Sequence, residues 1–203
     1  MNLTLKEGRF LVRFARDEIK AHFEGKEPEI PEDMEELMSR KSGIFIKLNR
    51  YPSRALRGCF GYMEGIMPLG RALRDVSVYA AFRDNRFHPL RKSELKTTIV
   101  EVSILSEPEL IHVENPEDYP GKIKIGRDGL IAEKDSLKGV LLPQMPIEFR
   151  WNPKEFLSHT CMMAGLGPRA WCYPDIKIYK FNAQIFTEEE PEGKIIKRKL
   201  GGR

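Results

Sequence analysis

The 203-residue sequence contains few cysteines and no long apolar run. An odd number of cysteines cannot form a disulfide framework, so Cys59, Cys161 and Cys172 are predicted to be thiols, with a Cys161–Cys172 bridge as the alternative. No stretch approaches the roughly 20 apolar residues that cross a bilayer. The N-terminus also lacks the pattern of a secretory signal. We therefore expect a cytoplasmic protein that does not bind to a membrane.

Several further absences narrow the class of protein. Glutamine occurs only at positions 144 and 184, whereas charged residues make up 32% of the chain. This balance is typical of heat-adapted, thermophilic proteins. Cys-x-x-Cys and His-x-x-x-His spacings, phosphate loops and dinucleotide fingerprints are missing too, so the sequence predicts no metal and no cofactor.

Helical and strand patterns interleave without a regular βαβ alternation. Periodicity and capping signals predict helices at 4–22, from Pro31, at 69–82 and at 152–167. Alternating patterns predict strands at 44–48, 56–63, 97–105 and 175–186, and a three-stranded meander between 121 and 144. This order predicts an α+β fold, with a mixed or antiparallel sheet flanked by helices.

The net charge of +4 is concentrated at the C-terminus. The last ten residues contain no acid and five cations, Lys194, Lys197, Arg198, Lys199 and Arg203. We expect one domain over residues 1–193, followed by a flexible basic tail at 194–203. A binding arm for nucleic acid is the alternative function of that tail.

The segment "LRGCFG", residues 56–61, places one of the cysteines between two glycines. In a strand, Arg57, Cys59 and Gly61 share one face, which puts the arginine about 7 Å from the thiol. A nearby guanidinium favours the reactive thiolate, and Gly58 and Gly61 allow a ligand to approach the backbone. The alternative is a buried cysteine in a tightly packed strand.

Acids are absent between Glu36 and Glu64, although that stretch contains six cations. They are Arg40, Lys41, Lys47, Arg50, Arg54 and Arg57. The predicted hairpin therefore has a positive potential, which attracts an anionic ligand.

The segment "FRDNRFHPL" follows a predicted helix and supplies groups that can assist a thiol. His88 is a candidate base for Cys59, and Asp84 can orient its ring. Arg86 is a candidate ligand-binding residue. The alternative is an Asp84–Arg86 ion pair with a histidine at a helix end. Cys161 lies on the apolar stripe of its helix and is predicted to be a core residue.

Five segments together resemble the AMMECR family. They are "LRGCFG" and, in order along the chain, "AFRDNRFHPL", "GRDGLI", "LLPQMPIEF" and "EFLSHTCMMAGLGPRAW". The hexapeptide departs from the family pattern at Phe60, where a smaller aliphatic residue is common. The resemblance implies an α+β fold with a larger subdomain built from both chain ends and a smaller inserted one. It also favours ligand contacts for Gln144 and Glu148, which are otherwise parts of a proline-rich connection.

Three functions are consistent with these observations. The first is an enzyme or enzyme-like domain in which Cys59, Arg57 and His88 handle a small anionic ligand in a cleft between subdomains. The second is a factor that binds nucleic acid or acts in translation or transcription. The third, implied by the resemblance, is a non-catalytic partner of Memo-type and radical-SAM proteins.

Overall fold

The structure, a computed structural model, describes residues 2–200. Within that range the chain divides into two compact units. The larger unit is built from residues 2–105 and 184–198, and the smaller one from residues 106–183 and 199–200. Each unit has its own cluster of buried apolar side chains. Helices accompany antiparallel strands in both units, so the α+β prediction is confirmed.

The sheet of the larger unit has the strand order β2–β1–β3–β7, with β8 paired to β7. The strands are β1 (Ile44–Arg50), β2 (Leu56–Tyr62), β3 (Thr98–Leu105) and β8 (Ile195–Arg198), together with the end of β7 (Lys177–Glu188). The register places Lys47 of β1 between Cys59 of β2 and Glu101 of β3. These three residues therefore form one row across the sheet.

Four helices belong to the larger unit. They are α1 (Leu5–Glu24), α2 (Glu32–Ser39), α3 (Leu69–Phe82) and α4 (Lys92–Leu95). A capping box between Thr4 and Glu7 begins α1, and Gly25 ends it in the left-handed conformation. Helix α3 packs on β1, β2 and α1, which buries the apolar stripes of both long helices.

The smaller unit contains short elements around a second core. Strand β5 (Asp128–Lys134) pairs with β6 (Leu137–Leu141) and with the first part of β7, which also pairs with β4 (Glu109–Leu110). Helix α6 (Pro153–Met163) packs on β5 and β6, and its capping residue Asn152 accepts two backbone hydrogen bonds. The remaining elements are α5 (Met145–Glu148) and two 3₁₀ turns, Pro116–Lys122 and Ala170–Cys172.

Two sequence predictions differ from the structure. The meander has two strands rather than three, because the amides of Arg127 and Asp128 bond to the carbonyl of Lys124 and turn the "KIKIG" run. The basic tail is not a flexible extension at residues 195–198, because they form β8 and Arg198 pairs with the buried Glu101. The predicted end of the tail, 201–203, lies outside the described residues.

No helix within residues 2–200 is both long enough and apolar enough to cross a bilayer. The three cysteines are free thiols, and Cys161 is fully buried in the core of the smaller unit, as predicted.

Candidate functional site

A pocket of about 560 Å³ lies in the larger unit, beside the end of β1, strand β2 and the segment from Asn85 to Glu94. We call it the arginine pocket. Its charged or ionisable lining residues are Arg50, Arg57, Arg86, His88, Arg91 and Glu94. Four guanidinium groups against one lining carboxylate make the pocket strongly positive.

Arg57 is the buried anchor of this pocket, with only 3% of its surface exposed. Its Nε and Nη2 donate to the carboxylate of Glu94 at 2.9 and 3.1 Å, and Nη2 also donates to the carbonyl of His88 at 3.0 Å. Its Nη1 is buried and has no hydrogen-bond partner in the described chain. The guanidinium holds the pKa of Glu94 at about 2, well below the usual range, so the pair is ionised at neutral pH.

Asp84 connects the pocket to the cysteine strand. Its Oδ2 accepts the backbone N–H of Cys59 at 2.8 Å. The same carboxylate accepts Nε and Nη2 of Arg86 at 2.9 and 2.6 Å, and it bonds to the backbone of Arg86 as well. These hydrogen bonds, those from Arg86 first, lower the pKa of Asp84 to about 2. The ion pair that the sequence allowed between Asp84 and Arg86 is therefore present.

Cys59 is half-buried, and its surroundings keep the thiol neutral. Desolvation raises its pKa to about 11, although the charges of Arg86 and Lys47 act in the opposite direction. Arg57, the predicted activator, forms its ion pair with Glu94 instead. The activation of the thiol by Arg57 stays a prediction that this pairing does not support, because the cation that most opposes the effect of burial is Arg86.

Gly58 and Gly61 serve packing. A Cβ added to Gly58 would collide with the carbonyl oxygen of Ala80 in α3, and one added to Gly61 would collide with the ring of Phe45 in β1. Protein atoms fill the space that the missing side chains leave. This packing explains both glycines without a ligand, and their predicted ligand-binding role stays a prediction.

His88 lines the arginine pocket with an exposed side chain. Its carbonyl accepts a hydrogen bond from Arg57, but no hydrogen bond joins its ring to Cys59 within residues 2–200. The structure therefore brings His88 together with Arg57 and Arg86. It shows no contact through which His88 would act as the base for the thiol.

Gln144 and Glu148 belong to the smaller unit and are not among the residues that line the arginine pocket. Gln144 is 1% exposed, and neither polar atom of its side chain has a hydrogen-bond partner in the described chain. Glu148 is an exposed residue of α5. Their contact with a ligand stays a prediction.

Sequence reasoning missed Glu94, Arg91 and Phe87. Glu94 belongs to a helix of only four residues, which is too short to show periodicity. The ring of Phe87 contacts two guanidiniums, with the Cζ atoms of Arg57 and Arg86 at 5.8 and 5.7 Å from its centroid. The segment "RFHPLRKSEL" does contain an available signal, since it holds three cations within ten residues.

Fold and site together define an α+β protein whose larger unit has an arginine-lined pocket next to a strand with a neutral cysteine. A sequence model of the AMMECR1 family matches residues 12–186, and this chain belongs to that family. The predicted resemblance is thereby confirmed.

Several relatives match nearly the whole chain. Protein MJ0810 of Methanocaldococcus jannaschii is 49% identical over 198 residues, which are 98% of each chain. Protein MK0488 of Methanopyrus kandleri is 45% identical and covers 98% of this chain and 96% of its own. The crystal structure of the uncharacterized protein PH0010 from Pyrococcus horikoshii matches with a TM-score of 0.92 and 46% identity, over 98% of this chain and 99% of that one.

Proposed function

We propose that the larger unit binds a small anionic ligand in the arginine pocket. The observation that carries this proposal is the Nη1 group of Arg57, which is buried, lacks a partner among residues 2–200 and belongs to a side chain that lines the pocket. A buried donor without a partner costs about 1–3 kcal/mol, and more when it is charged. An oxyanion in the pocket would supply the missing acceptor.

The remaining lining residues support an anion rather than a neutral ligand. Arg50 and Arg91 are exposed, and their guanidiniums form no ion pair or hydrogen bond with the described residues. Guanidinium groups recognise carboxylates and phosphates through parallel hydrogen bonds. The pocket thus combines one buried anchor with exposed cations at its rim.

Binding is better supported than thiol chemistry. A nucleophilic cysteine needs a lowered pKa, whereas burial raises the pKa of the Cys59 thiol to about 11. Cys59 is linked to the pocket through Asp84, which receives its backbone N–H and pairs with Arg86, and its thiol also interacts with the side chain of Arg86. We therefore assign Cys59 to the support of the binding site.

The cations of the tail give little support to the nucleic-acid alternative. Arg198 pairs with Glu101 at 3.1 Å, and Nζ of Lys197 donates to Oε1 of Gln184 at 2.8 Å. Both groups are engaged within the larger unit, whereas a binding arm presents its charges to phosphates.

Calorimetric titration with sodium sulfate at constant ionic strength tests the proposal. We expect saturable binding to one site in the wild type. The Arg91→Gln variant removes one rim cation without breaking an internal contact. Because a charged hydrogen bond contributes about 1.5–3 kcal/mol, it should bind sulfate at least tenfold more weakly.

Arg13→Gln is the matched control, because Arg13 is an exposed arginine of α1 outside the pocket. It should bind sulfate like the wild type. The proposal is overturned if no saturable binding occurs, or if both variants lose the same affinity. A nucleic-acid role would instead give tight binding of single-stranded RNA that falls steeply with salt and survives Arg91→Gln.

A further inference from the structure

Two arginines of the pocket are held in the same way by carboxylates. Arg57 uses its Nε and Nη2 edge to bind Glu94, and Arg86 uses the same edge to bind Asp84. In both residues the edge pairing leaves Nη1 outside the ion pair. A planar guanidinium that is fixed along one edge is preorganised, so a further hydrogen bond from it loses little side-chain freedom.

Both guanidiniums also contact one aromatic ring. Their Cζ atoms lie 5.8 and 5.7 Å from the centroid of Phe87, within the range of a cation–π contact. Phe87 itself is half-buried and lines the pocket. The ring and the two carboxylates together restrict both arginines, whereas the rim arginines Arg50 and Arg91 have no such partner in the described chain.

The net charge of the pocket arginines and their paired carboxylates indicates the charge of the ligand that would balance it. Four arginines line the pocket, and two of them are neutralised by Glu94 and by Asp84 behind the lining. Both carboxyls are ionised at neutral pH. Two positive charges therefore remain uncompensated, which a dianion balances and a monoanion does not.

This inference rests on the proposed anion site. We propose that the ligand of that site is a small phosphate monoester, bound through its dianionic phosphoryl group. A phosphoryl group offers three acceptor oxygens, enough for the Nη1 group of Arg57 and for the rim guanidiniums. The volume of about 560 Å³ exceeds what a bare phosphate needs and falls in the range of small-molecule sites. Asn85 and Ser93 also line the pocket and supply neutral hydrogen-bonding groups for the esterified part.

Calorimetry with four probes tests this inference: glycerol 3-phosphate, sulfate, succinate and acetate, each at constant ionic strength. At pH 7.5 we expect glycerol 3-phosphate to bind at least tenfold more tightly than acetate and succinate. The second pKa of a phosphate monoester is about 6. Lowering the pH to 5 should therefore weaken the binding of glycerol 3-phosphate severalfold relative to that of sulfate, which stays a dianion and serves as the reference.

The outcomes separate this inference from the proposed function. If acetate binds as tightly as glycerol 3-phosphate, the preference for a dianionic ligand is overturned, but the anion site remains. If succinate binds as tightly as glycerol 3-phosphate, the preference for a phosphoryl group is overturned. Absence of saturable binding for every probe overturns both proposals. Arg91→Gln should weaken glycerol 3-phosphate more than acetate, and Arg13→Gln should change neither. An equal loss for both probes in Arg91→Gln would also contradict charge matching.

Discussion

Arg16 and Arg57 are both buried arginines of the larger unit, yet their environments differ in one respect. Arg16 of α1 donates from Nε and Nη2 to Glu188 at 2.7 and 2.5 Å, from Nη1 to the carbonyl of Leu95 and from Nη2 to that of Thr98. Every nitrogen of its guanidinium has an acceptor. Arg57 has a similar carboxylate pair, but its Nη1 has no acceptor in the described chain.

The comparison separates a structural ion pair from a proposed binding group. A buried guanidinium is tolerated when protein acceptors satisfy it, as they do for Arg16, and such a group ties together distant segments. The unsatisfied donor of Arg57 belongs to a side chain that lines a pocket, and a ligand in that pocket is the acceptor that we propose for it. Burial alone does not distinguish the two arginines. They differ in whether every guanidinium nitrogen has a hydrogen-bond acceptor in the described chain.

The largest expected effect is the loss of the carboxylate that satisfies Arg16. Glu188→Ala leaves a buried guanidinium unpaired and also removes the acceptor of the Val100 amide. We expect the free energy of unfolding to fall by about 3–5 kcal/mol in chemical denaturation. Glu189→Ala changes an exposed neighbour and should have little effect. Equal stability of the two variants would mean that the Arg16 pair does not hold the unit together.

Replacing both residues of an ion pair by methionine should separate the effect of that pair on stability from its effect on anion binding. In Arg57→Met/Glu94→Met no charge is left unpaired, so we expect unfolding within about 2 kcal/mol of wild type but at least tenfold weaker sulfate binding. Arg16→Met/Glu188→Met should keep the sulfate affinity of the wild type, provided that circular dichroism shows a folded chain. Retained binding in the Arg57 double variant would remove Arg57 from the site.

Acid should weaken the Arg57 pair in a defined pH window. The folded pKa of Glu94 is about 2, below its ordinary value of 4.5, so its contribution is present above pH 4.5 and is lost as the pH falls toward 2. Glu94→Gln should lower stability at pH 7 by about 1–2 kcal/mol and make the decline between pH 4.5 and 2 shallower.

Thermal unfolding across that pH range measures the effect. Glu29→Gln, at an exposed carboxyl without a hydrogen bond to the described residues, should follow the wild-type curve. Asp84 still titrates in the Glu94 variant, so part of the decline should remain. A decline as steep as in the wild type would show that Glu94 does not contribute to acid sensitivity.

The smallest expected effect concerns the reactivity of Cys59. With a pKa of about 11, the thiol should react slowly with iodoacetamide at pH 7 and speed up only above about pH 10. Arg86→Gln removes the charge that most favours the thiolate, so it should shift the rate profile further upward in pH. Mass spectrometry of the labelled peptide gives the rate.

Arg83→Gln is the control for that shift, because Arg83 is exposed and lies over the ring of Tyr79. A half-maximal labelling rate near pH 7 would reverse our assignment, and Cys59 would again be a candidate nucleophile.

Local patterns were sufficient for most of the regular elements. The capping box at Thr4 marks the start of α1, and the β-branched run at 97–105 is strand β3. Prediction failed where the deciding contact is a turn or a neighbouring strand. The "KIKIG" run has strand-like composition but bends at Lys124, and the basic segment 195–198 becomes β8 only because β7 offers it an edge.

At the candidate site, the residue types were predictable but their pairing was not. The absence of acids from Glu36 to Glu64 indicated an anion-attracting surface, and the pocket does contain Arg50 and Arg57 from that stretch. The sequence spacing suggested that Arg57 activates Cys59, whereas its partner Glu94 is 37 residues away.

The amino-acid order therefore accounts for the α+β class, the family and the excess of cations around "LRGCFG", since these depend on composition, periodicity and short motifs. Folding assigned Glu94 to Arg57 and Asp84 to Arg86, left one guanidinium nitrogen without an acceptor in the described chain, and desolvated the thiol of Cys59. Those outcomes depend on long-range contacts and burial, which neighbouring residues along the chain do not encode.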